Sequence, residues 1–250
     1  MQDAMRKWYY RIFRRKASLT LAGGVRKIFW AGDPRMFTRI INAGGEREQL
    51  ERFLAAIKPG DIVWDAGAYI GMFSIFSAHR VGEQGQVYAF EPETATLSML
   101  RRNIDLNRAT PVEVIEAALG DHDGAAIIYA SQPGENAIHS LHHGERHQAA
   151  GTNISLRSGD ALVRVGAAKV PNVVKMDIEG AEFQALTGMQ NILQSEACRY
   201  LFLELHPSEL LEFGATPETV RELLENAGFQ LEHEQTRGAE THLFYRKGTI

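Results

Sequence analysis

From residue 46 onward, short apolar runs of strand length alternate with stretches of helical periodicity. The pattern predicts strands over residues 61–66, 86–90, 112–115, 173–176 and 200–205. It predicts helices beside them, over residues 46–57, 71–80, 93–107, 182–193 and 216–226. Because strands that alternate with helices form a parallel sheet covered on both faces, we expect an α/β, doubly wound fold.

In the last part of the chain the pattern predicts two more strands, which cannot be parallel to each other. Residues 229–234 and 241–246 are joined by a turn around Gly238 that is too short for a parallel crossover. We therefore expect a C-terminal antiparallel hairpin in a Rossmann-like, seven-stranded, mostly parallel sheet. The stretch 120–160 is polar and rich in glycine and histidine. We expect it to be an insertion over the functional site, with two short strands, rather than a separate domain.

Positive charge is concentrated near the N-terminus, although the whole chain has a net charge of −4. Residues 1–27 contain eight lysines and arginines and one acid, with aromatic side chains interleaved, so the remainder of the chain is acidic. We expect residues 1–45 to be a basic, aromatic segment that packs on or beside a domain formed by residues 46–250. Residues 1–27 should either form a solvated helix on that domain or make weak contact with an anionic membrane surface or a lipid-linked substrate. The acidic body argues against a nucleic-acid partner.

The composition is that of an ordinary globular chain, with 250 residues of which 44% are hydrophobic and 23% charged. Cys198 is the only cysteine, which excludes a disulfide within the chain and is typical of a reducing compartment. No apolar run approaches the roughly 20 residues of a membrane-spanning helix, and the N-terminus lacks the apolar centre of a signal peptide. We therefore expect a cytoplasmic protein in which Cys198 is a small buried apolar residue.

A turn with two glycines, DAGAYIG at residues 65–71, follows the first predicted strand of the sheet. Gly67 lets the backbone turn tightly, and Gly71 opens the next helix where it packs on the strand. A dinucleotide-binding turn has glycine at the leading position, where this chain has Asp65. A carboxylate there would repel a pyrophosphate and suit the sulfonium and ammonium groups of S-adenosylmethionine. The turn therefore predicts S-adenosylmethionine as the ligand.

A second carboxylate supports the nucleoside part of this prediction. Glu91 ends the next predicted strand, 26 residues after Asp65. In folds of this class an acidic residue at about that spacing meets the ribose hydroxyls. Because an ionised carboxylate accepts hydrogen bonds from both hydroxyls, we expect Glu91 to bind the ribose.

These two motifs and four others closely resemble the FkbM family of methyltransferases. The matching blocks are VWDAGAYIG at 63–71, AFEP at 89–92, RNIDLN at 102–107, AALGD at 117–121, VKMDIEGAE at 174–182 and LELHP at 203–207. The resemblance implies a class I S-adenosylmethionine-dependent enzyme, typically one that methylates a hydroxyl of a carbohydrate or other small metabolite. It also implies a cofactor site formed by Asp65, Gly67, Ala68, Gly71, Glu91, Pro92, Ala118 and Asp177. Residues 1–45 and 130–160 match less well, and we expect them to select the acceptor.

The acceptor side is predicted at the ends of the fourth and fifth strands, which lie side by side in the usual order of this fold. Asp177 and Glu179 follow the fourth strand, and Glu204 and His206 end the fifth, two residues apart and so on one face. A sugar hydroxyl is a poor nucleophile and needs a base or a metal ion to withdraw its proton. His206 is the preferred base because the intrinsic pKa of histidine is near neutral.

The other acidic residues leave alternatives open. Asp177 could orient the methionine part of the donor, act as the base, or hold a divalent cation together with Glu204. Glu179 is the third catalytic candidate. Capping of the helix that follows would explain Asp177 and Glu179 without any catalytic role. Whether the enzyme needs a metal ion stays undecided at this point.

Two other functions fit parts of the sequence. N-methylation of nucleic acid would require an Asn/Asp-Pro-Pro-aromatic motif after the fourth strand, which the chain lacks. A non-catalytic module that binds S-adenosylmethionine would share the fold, but the intact donor and acceptor motifs count against it. Histidines 139, 142, 143 and 147 lack the spacing of a closed zinc site, so we expect them in a loop over the acceptor pocket. Lys175 is assigned no role.

Overall fold

In the computed structural model, which describes residues 15–130, 139–140 and 151–248, strands and helices alternate over most of the chain. The strands are β1 (Lys16–Thr20), β2 (Arg26–Trp30), β3 (Ile62–Ala66), β4 (Gln86–Phe90), β5 (Val112–Ile115), β6 (Ala118–Gly120), β7 (Gly124–Ala130), β8 (His139–Ser140), β9 (Thr152–Ser158), β10 (Val173–Met176), β11 (Tyr200–Leu205), β12 (Phe229–Arg237) and β13 (Glu240–Lys247). The helices are α1 (Pro34–Ile41), α2 (Arg47–Ala56), α3 (Met72–Val81), α4 (Thr94–Asn107), α5 (Gly159–Arg164), α6 (Glu182–Thr187), α7 (Gln190–Gln194), α8 (Pro207–Glu212) and α9 (Pro217–Asn226).

The central sheet has seven strands in the order β12-β13-β11-β10-β3-β4-β5. Strands β11, β10, β3, β4 and β5 pair in parallel, whereas β13 is antiparallel to both β11 and β12. The doubly wound, mostly parallel sheet with a C-terminal antiparallel hairpin is therefore confirmed. Because β10 lies between β3 and β11, the turn that follows β3 and the polar residues that follow β10 and β11 meet at one edge of the sheet.

Both faces of the sheet are buried. Neighbouring residues on each strand enter different apolar clusters: Trp64 and Val174 lie in one, and Val63 and Val173 in the other. Helices α5, α6, α7 and α9 cover the first face, and α1, α2 and α3 cover the second. Burial on both sides explains why these strands appear in the sequence as continuous apolar runs rather than as alternating patterns.

Residues 16–30 of the N-terminal segment form a hairpin, so a helix over residues 1–27 does not extend into this part of the chain. Strands β1 and β2 pair antiparallel, and Leu19 and Phe29 are buried in the same apolar cluster as Phe73 of α3. In β1 the buried side chains, Ala17 and Leu19, are two residues apart, which is the period of a strand. The aromatic residues before position 15 lie outside the described residues.

Two asparagines of α4 hold β2 against the domain. The Trp30 N–H donates to Asn103 Oδ1 at 2.6 Å, and Asn103 Nδ2 donates to the Ile70 carbonyl at 2.9 Å. One turn later, Asn107 Oδ1 accepts from the Ile28 N–H at 3.0 Å and its Nδ2 donates to the Ile28 carbonyl at 2.7 Å. The two asparagine side chains thus form hydrogen bonds with backbone groups on the edge of β2 that has no neighbouring strand. Asn103 also contacts the turn after β3 through the Ile70 carbonyl.

Three local predictions differ from the structure. The single helix expected over 182–193 is divided into α6 and α7 at Gly188, whose Cα lies so close to Gly120 that a Cβ would be 2.0 Å from the Gly120 carbonyl oxygen. Helices α5 and α8 were not predicted, because each is only six residues long. In the predicted insertion the two expected strands are present as β7 and β9, but β6 and β8 pair with them, so the small sheet has four strands rather than two.

Cys198 is buried, as the sequence predicted. Burial raises the pKa of its thiol to about 12, so it behaves as an apolar core residue.

Among the helices of the described residues, none combines the length and the apolar character that crossing a bilayer requires.

The asparagine contacts predict a stability effect. Asn103→Ala would leave the buried Trp30 N–H and Ile70 carbonyl without their partner, so we expect the free energy of unfolding to fall by about 1–3 kcal/mol. Urea denaturation followed by tryptophan fluorescence measures this change. Asn226→Ala is the matched control, because Asn226 is exposed at the end of α9. Equal stability of the two variants would show that Asn103 does not anchor β2.

Candidate active site at the carboxyl ends of the central strands

The turn after β3 is shaped by backbone conformations that favour glycine. Gly67 and Gly71 have φ of 76° and 85°, and Tyr69 between them has φ of 51°. The N–H groups of Gly67 and Ala68 both donate to the Phe90 carbonyl, at 3.1 and 3.0 Å, which ties the turn to the end of β4. A Cβ at Gly67 would lie 1.9 Å from the Asp177 carbonyl oxygen, so only glycine fits between the turn and the end of β10.

Glu91 lies beside this turn, where its carboxylate accepts two backbone hydrogen bonds. The Tyr69 N–H donates to Oε2 at 2.9 Å and the Glu93 N–H to Oε1 at 3.0 Å. Burial raises the pKa of Glu91 to about 7, although both N–H groups act in the opposite direction. Each oxygen keeps a second lone pair with which it could accept from a ligand hydroxyl. Pro92 follows Glu91 directly, and Ala118 begins β6 just beyond the end of β5.

Asp65 faces the protein interior instead of the open turn. Its side chain has no exposed surface, accepts a hydrogen bond from Ser74 Oγ at 2.5 Å, and lies 3.6 Å from Lys175 Nζ. The sequence predicted that Asp65 presents its charge to a cationic ligand. The structure corrects this expectation, because the Asp65 carboxylate is buried and lies against Lys175. Asp65 instead links the turn, the first helical turn of α3 and β10.

Lys175 is the residue that the sequence analysis missed. Its Nζ donates to the Gly67 carbonyl at 2.9 Å and lies 3.4 Å from Asp177 Oδ2, and only 3% of the residue is exposed. Burial by itself would lower the pKa of Lys175, but the negative charges of Asp177 and Asp65 outweigh it and raise the pKa. The signal was present in the sequence, because a lysine inside an otherwise apolar strand must have buried partners.

A pocket of about 410 Å³ opens beside these residues. It is lined from three parts of the chain: Arg35, Thr38, Arg39, Asn42, Gly44, Gly45 and Glu46 from the N-terminal region, Asp177, Glu179, Glu204 and His206 from the ends of β10 and β11, and Arg237 and Glu240 from the C-terminal hairpin. We call it the strand-end pocket. The structure thus brings together the four residues that the sequence predicted at the acceptor side.

His206 is surrounded by carboxylates. Its Nδ1 lies 3.3 Å from Glu182 Oε1, and its Nε2 lies 3.4 Å from Glu179 Oε2 and 3.9 Å from Asp177 Oδ1. Burial alone would lower the pKa of His206, but the hydrogen bond to Glu182 and the negative charges of Glu179 and Asp177 raise it to about 11. A protonated imidazole cannot accept a proton, so these surroundings disfavour His206 as the base at neutral pH, and the role of His206 stays a prediction.

The acidic residues of the strand-end pocket differ in charge state. Burial would raise the pKa of Asp177, but Lys175 and His206 outweigh burial and hold that pKa below its usual range. Burial raises the pKa of Glu179 to about 8, and the charge of Asp177 adds to the rise. Burial and Asp177 likewise raise the pKa of Glu204 to about 8. Glu179 also has φ of 54°, a conformation that costs energy for a residue other than glycine.

Two overlapping groups of side chains have the composition of a cation site. One ligand atom from each of Asp177, Glu204 and His206 lies within 4.8 Å of the others, and the same holds for Glu204, Glu240 and His242. Carboxylate oxygens suit hard divalent cations. His206 would have to lose its proton before it could join them, which the surrounding carboxylates oppose.

The N-terminal part of the pocket was not identified residue by residue from the sequence. Asp33 caps α1 by accepting hydrogen bonds from the N–H groups of Arg35 and Met36, at 2.6 and 2.9 Å. Arg39, one turn after Arg35, lies over the Tyr69 ring at 5.4 Å from its centroid. Among the described residues, none from the small sheet of the insertion lines the pocket. Histidines 142, 143 and 147 lie outside the described residues.

Comparison with known proteins agrees with this geometry. The model of the Methyltransferase FkbM domain matches residues 65–231. The hexuronic acid methyltransferase AglP of Haloferax volcanii is 30% identical over 194 residues, which cover 78% of this chain and 74% of that protein. The 31-O-demethyl-FK506 methyltransferase FkbM of Streptomyces tacrolimicus is 27% identical over 217 residues, which cover 74% of this chain and 80% of that protein.

Two solved structures share the fold at low sequence identity. Precorrin-6y C5,15-methyltransferase from Geobacter metallireducens superposes with a TM-score of 0.51 at 15% identity, over 81% of this chain and 89% of that one. A Streptococcus mutans protein in complex with SAH also gives a TM-score of 0.51, at 13% identity, over 80% of this chain and 96% of that one. With the family match over most of its length, the chain belongs to the FkbM family of S-adenosylmethionine-dependent methyltransferases, as its motifs predicted.

Proposed function

We propose that the protein transfers the methyl group of S-adenosylmethionine to a hydroxyl of a carbohydrate or another small metabolite. The observation that carries this proposal is the contact between the turn after β3 and the end of β10, where Gly67 lies against the Asp177 carbonyl. Because of this contact, the turn after β3 (residues 67–71, called the donor turn below) lies beside the strand-end pocket. Two relatives support the substrate class, since one is named for a hexuronic acid and the other for a 31-O-demethyl compound.

The donor would bind in the turn and along the ends of β4 and β5. We assign the ribose hydroxyls to Glu91, and the close backbone approach to Gly67, Ala68 and Gly71. Pro92 and Ala118, at the ends of neighbouring strands, would contact the adenosine. Asp177 would face the methionine part of the donor. Asp65 would act on the donor only through Lys175, which holds the Gly67 carbonyl.

Glu179 is our candidate for the base. It lines the strand-end pocket with 27% of its side chain exposed, and His206 lies 3.4 Å from its carboxylate. S-adenosylmethionine, when bound, would supply the methyl group to the acceptor oxygen and leave as the neutral thioether. Glu179 would accept the proton of the acceptor hydroxyl. Since methyl transfer is an in-line displacement, alignment and exclusion of water by the pocket supply the remainder of the catalysis.

His206 and Asp177 would act with Glu179 in fixed charge states. His206, as an imidazolium, would hold the Glu179 carboxylate in place and compensate the negative charges of the pocket. Asp177, which stays ionised, would orient the donor and the acceptor hydroxyl. The expected contact of residues 1–27 with a lipid-linked substrate and the expected cytoplasmic location stay predictions.

The donor assignment is tested by binding and by transfer. We expect the protein to bind S-adenosylmethionine in calorimetry and to transfer label from methyl-labelled donor to a member of a panel of hydroxylated metabolites and glycans. Glu91→Ala should weaken donor binding about tenfold to a hundredfold, because it removes hydrogen bonds to a charged group. Glu113→Ala, on the exposed face of β5, is the control. Normal donor affinity in Glu91→Ala would remove Glu91 from the donor site.

The pH dependence of turnover tests the base. Glu179 must be ionised to accept a proton, so turnover should rise as the pH increases through about 8, the pKa of Glu179. No step is expected near 6.5, because His206, with a pKa of about 11, keeps its proton throughout that range. Glu179→Gln should remove the step and lower turnover by about a hundredfold or more, with donor affinity unchanged. A step near 6.5 that disappears in His206→Gln would instead restore His206 as the base.

The need for a metal ion is tested by chelation. We expect turnover to be unchanged by EDTA, because Lys175 and protonated His206 already compensate Asp177. Addition of Mg²⁺ or Mn²⁺ to the chelated enzyme is the second measurement. Loss of activity in EDTA with recovery on adding either ion would assign a cation to Asp177 and Glu204, and would replace Glu179 as the means of hydroxyl activation.

A further inference from the structure

The strand-end pocket has an uneven distribution of charge around its wall. The ends of β10 and β11 contribute the carboxylates Asp177, Glu179 and Glu204. Helix α1 contributes two arginines, Arg35 and Arg39, and no acid. The lining also includes His206 among these carboxyl groups and Glu46 at the start of α2. A molecule in this pocket therefore meets carboxyl groups and an imidazolium on the strand side and two guanidinium groups on the side of α1.

The arginines of α1 differ from the other cations that line the pocket. His206 lies 3.4 Å from the Glu179 carboxylate, and Arg237 lies 3.5 Å from the Glu46 carboxylate. Within residues 15–130, 139–140 and 151–248, Arg35 and Arg39 make no ion pair, although the charge of Arg39 favours the ionised forms of Glu46 and Asp177. Both are exposed to the pocket, so their charges are available to a ligand.

Helix α1 holds these two arginines in a defined geometry. They are four residues apart, so both project from one face of the helix. The opposite face is anchored by Phe37 and Ile40, which are buried in the apolar cluster that covers the sheet. Arg39 also lies over the ring of Tyr69, a residue of the donor turn. The cationic part of the wall is thus fixed close to the place where the methyl group would be transferred.

We propose that Arg35 and Arg39 form an anion-binding subsite, and that the acceptor is a hydroxylated compound carrying an anionic oxygen group, such as the carboxylate of a sugar acid. This inference rests on the proposed function. A guanidinium group binds carboxylate or phosphate oxygens in a bidentate arrangement, and two of them on adjacent helical turns match one such group.

The charge distribution would also orient the acceptor. Near the strand ends an anionic group would be repelled by the ionised Asp177, and also by Glu179 and Glu204 once the pH exceeds their pKa of about 8. Near α1 the same group would be attracted by both guanidinium groups at any of these pH values. The acceptor would therefore enter with its anionic end toward Arg35 and Arg39 and its hydroxyl toward Glu179. A neutral acceptor would lack this preference for one orientation.

The test compares matched sugars on the protein loaded with S-adenosylhomocysteine. Calorimetry measures binding of 4-nitrophenyl β-D-glucuronide, 4-nitrophenyl β-D-glucoside and glucose 6-phosphate at low ionic strength. The glucuronide and the glucoside differ only by a carboxylate in place of a hydroxymethyl group. We expect the glucuronide to bind at least tenfold more tightly than the glucoside, the difference expected for a charge-assisted hydrogen bond.

Variants assign the preference to the two arginines. The double variant Arg35→Gln, Arg39→Gln, once loaded with S-adenosylhomocysteine, should lose the tenfold advantage of the glucuronide, while binding of the glucoside is unchanged. Arg164→Gln is the control, because Arg164 is an exposed arginine at the end of α5 and does not line the pocket. Tighter binding of glucose 6-phosphate than of the glucuronide, lost in the double variant, would support the subsite with phosphate as its anion.

Other results would overturn the proposal. Equal affinity for glucuronide and glucoside, absence of binding by either anion, or the same loss in Arg164→Gln would each exclude a subsite at Arg35 and Arg39. These outcomes are separate from failure of the proposed function. If S-adenosylhomocysteine itself does not bind to the unaltered protein, the donor assignment is wrong, whereas normal binding without an anion preference excludes the subsite alone.

Discussion

The buried ammonium of Lys175 is the group around which the other parts of the site are arranged. A charge with almost no access to water is tolerated only when charged and polar partners surround it. Lys175 meets this requirement with Asp65 on β3, Asp177 after β10 and the Gly67 carbonyl of the turn. Since these groups belong to adjacent strands, one side chain fixes the turn after β3 relative to the acidic part of the strand-end pocket.

The N-terminal residues complete a site that the family domain alone would leave open on one side. The β1–β2 hairpin and α1 pack their apolar side chains into the cluster that covers the sheet, so residues on both sides of position 46 share one core. Asn103 and Asn107 satisfy the backbone groups at the edge of β2, and Asn103 also connects this edge to the turn after β3. The helix that carries Arg35 and Arg39 therefore packs with elements that are tied to this turn.

The chemistry of the pocket depends on how its charges affect one another. His206 has three carboxylates near its ring, which hold its proton, and that proton in turn favours ionisation of Asp177. Burial raises the pKa of Glu179 to about 8, which is within the range useful for general base catalysis. The pKa values of these groups are thus set by their surroundings rather than by residue type, so the intrinsic pKa of histidine does not describe His206.

The sequence by itself determined the sheet, the donor turn and the residues that would gather at the strand ends. Strands β4, β5, β10 and β11 begin and end at the predicted residues. Short apolar runs that are bounded by turn residues and helical segments are typical of buried strands, so their limits can be predicted from the sequence. The family motifs located Glu91, Asp177 and His206 at strand ends, which lie along one edge of any parallel sheet.

Only the tertiary structure decided the charge states and the partners of these residues. The pairing of Lys175 with Asp65, the proton on His206 and the entry of Arg35 and Arg39 into the pocket all depend on contacts between distant parts of the chain. Local periodicity gives the direction of a side chain on its own element, but not the element that packs opposite it. Burial and Coulomb interactions are properties of that packing, so no pattern within a single segment contains them.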